Sequence, residues 1–76
     1  MEYKEFIKKH GKEKVKFGSY YKYMFSFEND SGLYVSVGGD ADDIYRLDVD
    51  ADKEYLVSDL EPNYASLNGE TIFDNF

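Results

Sequence analysis

Three features of the sequence predict an α+β fold, an N-terminal helix packed on a small antiparallel sheet of four or five strands. Helical spacing of apolar residues is confined to the first ten positions, a period of two sets in beyond Gly11, and glycine-bearing turns separate the alternating segments. With 76 residues, the chain is read as one domain spanning 1–76. A chain this short buries only about 60% of its unfolded surface and has little interior to divide.

Tyr3, Phe6, Ile7 and His10 fall at i, i+3, i+4 and i+7, which puts them on one helix face. Glu2 and Glu5 in the first turn and Lys8 and Lys9 in the last complement the helix dipole, and Gly11 is placed to end it. A helix is therefore expected over 2–10. Tyr21, Tyr23, Phe25 and Phe27 then alternate with Lys22, Met24 and Ser26, giving an expected strand over 20–28. Leu33, Val35 and Val37 resume the alternation, for a strand over 33–38. A three-residue loop Asp30-Ser31-Gly32 with Gly32 left-handed sets Phe27 opposite Val35 and Phe25 opposite Val37, so turn chemistry and register agree.

A third strand is expected over 44–49, after the Gly38-Gly39-Asp40 turn. Residues 54–58 carry two readings. The favoured one is a returning strand with Tyr55 and Val57 on the apolar face; the other is a helix capped by Asp50 or Asp52 that buries Leu56 and Leu60 and stops before Pro62. Asn68-Gly69 between two alternating segments is a strong hairpin signal. Phe17-Gly18-Ser19-Tyr20 resembles a two-residue turn, but that register sets Lys14 and Lys16 beside the aromatic face of Tyr21 and Tyr23. Residues 12–19 are therefore read as a loop or a short edge strand. The expected core is Phe25, Phe27, Leu33, Val35, Val37, Leu47 and Val49.

The candidate chemistry is thin. The absence of Cys removes disulfides, thiolate nucleophiles and thiolate metal ligands, and fits a reducing compartment. No apolar run is long enough for a membrane span. His10 is the only imidazole and sits at a helix terminus, where histidine commonly meets the last carbonyls. No serine stands in a nucleophile elbow, and the glycines form no phosphate loop. Asp48-Val49-Asp50-Ala51-Asp52 matches the first half of a calcium loop. The match fails at Lys53, where the turn needs Gly, and at Asp59, where a longer Glu is usual. A glycosidase-type carboxylate pair lacks a cleft in so short a chain. The expectation is a protein that is not an enzyme and that takes no cofactor or metal.

What remains is charge. The formal net charge is −7, and the 8 Tyr and 6 Phe argue against disorder. Residues 1–23 hold seven Lys against three Glu, whereas 24–76 hold thirteen carboxylates against Arg46 and Lys53. Nine of the thirteen are Asp40, Asp42, Asp43, Asp48, Asp50, Asp52, Glu54, Asp59 and Glu61. On an extended strand Asp48, Asp50 and Asp52 project to one side about 6.7 Å apart, a pitch loosely like that of a nucleic-acid backbone. Such a row competes for a Lys/Arg channel and gains from the counterion release and steering that drive DNA binding itself. These nine carboxylates, with Tyr45 and Tyr55 as aromatic anchors, form the candidate partner-binding set. The competing account is that the charge only keeps a small domain soluble.

Small size, no Cys, a helix beside a small sheet, and the acidic stretches Gly39-Asp40-Ala41-Asp42-Asp43 and Asp48-Val49-Asp50-Ala51-Asp52 together resemble the small phage-encoded anti-CRISPR and DNA-mimic inhibitors. The likeness is one of type, spread over the whole chain, without a shared motif. It implies a non-enzymatic inhibitor acting in the cytoplasm of a bacterial host cell. Its partner is then a larger basic nucleic-acid-binding protein such as a CRISPR effector, with no direct nucleic acid and no membrane. Two other classes stay open: a toxin-neutralising immunity protein using the same surface, and a structural or assembly subunit that self-associates through an edge strand.

Overall fold

The computed structural model describes residues 1–38 and 49–75. Helix α1 (Tyr3–His10) leads into strands β1 (Lys14–Tyr21), β2 (Met24–Glu28) and β3 (Leu33–Gly38). Strand β4 (Glu54–Leu56), the short helix α2 (Val57–Leu60), β5 (Tyr64–Leu67) and β6 (Glu70–Asp74) follow. The strands form one antiparallel sheet in the order β4-β1-β2-β3-β5-β6. The α+β class holds, with six strands among the described residues in place of four or five.

Cross-strand pairing sorts the sheet into two faces. Phe17, Phe27, Val35, Ala65 and Phe73 form one continuous row across five strands. Around it gather the buried residues Phe6, Val15, Phe25, Leu33, Val37, Val57 and Leu60. Phe6 of α1 stacks on Phe73 with ring centroids 5.2 Å apart, which fixes the helix over this face. The opposite face carries Lys16, Glu28, Tyr34, Ser66 and Thr71 in a parallel row. Phe27 pairs with Val35 and Phe25 with Val37, and Gly32 has φ +88°, as turn chemistry requires. The Asn68-Gly69 hairpin forms with φ +51° and +88°.

The expected strand 20–28 is instead broken. Lys22 and Tyr23 both have positive φ and make the tight turn between β1 and β2, so Tyr21 and Tyr23 are exposed and absent from the core. Residues 14–21 form not a loop but a strand, paired with β4 over Lys14–Lys16 and with β2 from Lys16 to Tyr21. The clash of periods that argued against a strand has a local cause. Phe17 pairs with Phe27 and Ser19 with Ser26, which leaves Gly18 as the extra residue of a β-bulge, and a one-residue slip exchanges the two faces. Val15 and Phe17 before the bulge and Tyr20 after it all reach the apolar side, while Lys14 and Lys16 stay on the other.

Both readings of 54–58 capture part of the segment. Glu54–Leu56 is strand and Val57–Leu60 is helix, but neither Asp50 nor Asp52 caps it: the residue at the helix start is Leu56. The Val57 and Ser58 N–H groups donate to the carbonyls of Glu13 and Gly11, each at 3.0 Å, which supplies the capping that helix termini need. Glu61, at φ +50°, and Pro62 end it. Of the expected strand 44–49, residues 44–48, Leu47 among them, lie outside the described residues. Val49 is in no strand and packs half-buried against the core.

Candidate acidic interaction surface

Asp40, Asp42, Asp43, Tyr45 and Asp48 of the candidate set lie outside the described residues. The other carboxylates occupy three successive elements. Asp50 and Asp52 sit in a turn, Glu54 opens β4, and Asp59 and Glu61 lie in α2 and at its exit. All five are exposed. None of them forms an ion pair with a described residue.

The turn corrects the idea of an extended charge row. The Asp50 carbonyl accepts the Lys53 N–H at 3.2 Å, and its Oδ1 accepts the Asp52 N–H at 2.9 Å. This is the local closure that aspartate favours in place of extended backbone. Asp50 and Asp52 thus flank a bend, with no uniform pitch from one to the next.

Tyr55 holds this bend in place. Its ring packs edge-on against Phe27 at 5.5 Å, and its hydroxyl accepts the Asp50 N–H at 2.7 Å. Lys53 Nζ lies 5.2 Å from the same ring. The half-buried Tyr55 therefore anchors the acidic turn to the core. The exposed aromatic rings lie elsewhere, at the β1–β2 turn, where Tyr20, Tyr21 and Tyr23 are 49%, 69% and 54% exposed. Sequence reading missed them as a surface feature because their spacing matches that of core residues.

His10 Nδ1 contacts Glu13 Oε2 at 2.5 Å, and Asn29 Nδ2 donates to Glu13 Oε1 at 3.3 Å. Asn29 Oδ1 in turn accepts the Ser31 and Leu33 N–H groups. This chain of contacts ties the helix end to the β2–β3 turn, a structural use for the single imidazole. A shallow depression of about 270 Å³ is lined by Tyr3, Glu61, Pro62, Asn63 and Asn75. Burial, then the nearby Glu61 carboxylate, pushes the Tyr3 phenol above its ordinary value. No nucleophile beside a general base lines it.

Among the described residues, no group of three His, Asp or Glu is gathered as a metal site requires. Asp50 Oδ1 is already engaged by the Asp52 N–H, and Lys53 stands where a calcium loop needs Gly. Millimolar calcium should therefore leave the melting temperature unchanged. A rise of several degrees that is lost in Asp50→Ala would reinstate a calcium loop.

No helix of the described residues is long and apolar enough to cross a membrane. No protein-family model, curated protein or solved structure matches the chain.

Proposed function

We propose that this chain is a non-enzymatic inhibitor that occupies a Lys/Arg-lined nucleic-acid site on a larger protein of a bacterial defence complex. It is an anti-CRISPR-type mimic of DNA charge, acting in the host cytoplasm. The observation that carries the reading is the set Asp50, Asp52, Glu54, Asp59 and Glu61, exposed and without an ion-pair partner among the described residues. Exposed carboxylates raise the local potential, speed encounter with a cationic site and favour release of its counterions.

Two features weigh against assembly through an edge strand. β6 carries Glu70 and Asp74, and Ile72 has no partner in the pairing of Ser66 with Thr71 and Ala65 with Phe73. Charge and a bulge on an edge both oppose strand addition. A toxin-neutralising immunity protein would use the same carboxylates, so the identity of the partner separates the two classes.

The test is capture from bacterial lysate on the immobilised protein at low and high salt, with mass spectrometry of what is retained. The proposal expects a basic nucleic-acid-binding defence protein that is retained at low salt and lost at high salt. Retention of a basic nuclease toxin instead would assign the immunity role. Growth of the chain's own particle size with concentration, with nothing else captured, would assign the assembly role.

A further inference from the structure

The chain carries four asparagines, Asn29, Asn63, Asn68 and Asn75, and only Asn68 is followed by glycine. A side-chain amide in that position has a neighbour able to attack it. The peptide nitrogen of the next residue reaches the amide carbon in a five-membered ring, and glycine, which lacks a Cβ, leaves the approach open. Asn29 precedes Asp30, and its carboxamide is engaged at both ends: Nδ2 donates to Glu13 Oε1 and the Lys14 carbonyl, and Oδ1 accepts the Ser31 and Leu33 N–H groups. Asn68 and Gly69 are exposed, and a Cβ added at Gly69 would meet nothing within 4 Å.

Asn68 is held from one side only. Its N–H donates to the Gly32 carbonyl at 2.9 Å. Its carboxamide rests on the Gly32 α-carbon so closely that a Cβ there would collide with Oδ1 and stand 2.9 Å from Cγ. Gly32 at φ +88° and Asn68 at φ +51° thus interlock the β2–β3 and β5–β6 turns, and the seat exists because Gly32 has no side chain. Leu33, next to it, pairs with Leu67 and is fully buried, so the seat is anchored to the core.

We infer that Asn68 is a site of spontaneous deamidation, restrained in the folded chain by its seat on Gly32. The Gly69 nitrogen bonds to Asn68 Cγ while its proton passes through water to the departing amide, which leaves as ammonia. Water then opens the cyclic imide at either carbonyl carbon, giving aspartate or isoaspartate at position 68. Ring closure turns the carboxamide away from Gly32 toward the Gly69 nitrogen, so the reaction runs through molecules whose hairpin tip has opened. Either product adds a negative charge beside Glu70. Isoaspartate also lengthens the main chain of a two-residue turn, and the pairing of Leu67 with Glu70 is lost with the turn geometry.

Incubation of the intact chain at mildly alkaline pH, folded and in concentrated urea, tests this by mass spectrometry of its proteolytic peptides. The mass gain of an acid over an amide should arise at Asn68 ahead of the other three asparagines. In the folded chain it should be slower by about tenfold or more than in urea, and urea below the unfolding midpoint should accelerate it. Asn68→Gly keeps a residue that accepts positive φ, so it should fold and show no gain at the tip. Converted protein, separated by anion exchange, should melt several degrees below the unreacted chain. Equal rates in the folded and unfolded chain overturn the restraint by Gly32. A folded chain that reacts first at another asparagine, or that stays unconverted at Asn68 after its unfolded counterpart has reacted fully, overturns the site.

Discussion

Phe27→Ala should leave the chain largely unfolded at room temperature. Phe27 is 0% exposed, is flanked in its row by Phe17 and Val35, and meets the rings of Phe17 and Tyr55 edge-on at 5.9 and 5.5 Å. Truncation removes the ring's transfer energy and leaves a cavity between three strands, at a cost of about 3–5 kcal/mol. A domain of this size without disulfide or metal has roughly that much stability in total. The turn at Asp50 should go with it, because Tyr55 is both a wall of the cavity and the acceptor for the Asp50 N–H. Urea titration followed by near-ultraviolet circular dichroism measures the effect, with Tyr21→Ala as the exposed control, expected within about 0.5 kcal/mol of the parent. A Phe27→Ala protein that still melts cooperatively within a few degrees of the parent would refute this account of the core.

Where local chemistry decided the structure, the sequence was legible. The Asp30-Ser31-Gly32 loop and the Asn68-Gly69 turn each impose a register, and the alternation on either side agrees with it, so Phe25, Phe27, Leu33, Val35 and Val37 could be assigned to the core. Three features were decided by distant or uncommon chemistry. The bulge at Gly18 inverts the strand parity in mid-strand, and no alternation rule reveals an inversion. Lys22-Tyr23 makes a turn that glycine or asparagine normally makes. Val57–Leu60 turns helical where the Gly11 and Glu13 carbonyls accept its first N–H groups, partners more than forty residues away in sequence. The carboxylates of the site were legible as charge; their placement on a bend depended on Asp50 bonding to its own turn.

Converting Asp50 to Asn and both Asp52 and Asp59 to Lys should weaken binding to the captured partner by about a hundredfold at low salt, mostly through slower association and lost steering. Asparagine retains the Oδ1 that accepts the Asp52 N–H at 2.9 Å, so the bend survives while its charge is lost. Asp52 and Asp59 are exposed, and reversing them sets like charge against a Lys/Arg-lined site without disturbing the core, because solvated charges contribute little to stability. An unchanged melting temperature with collapsed binding separates a charge effect from a folding effect. The loss should shrink as salt rises, since screening removes both the attraction in the parent and the repulsion in the variant. Binding that survives the change, or that never depended on salt, would sink the mimicry reading. The contact would then pass to the exposed tyrosines of the β1–β2 turn or to the basic end of α1, where Lys8 and Lys9 are exposed.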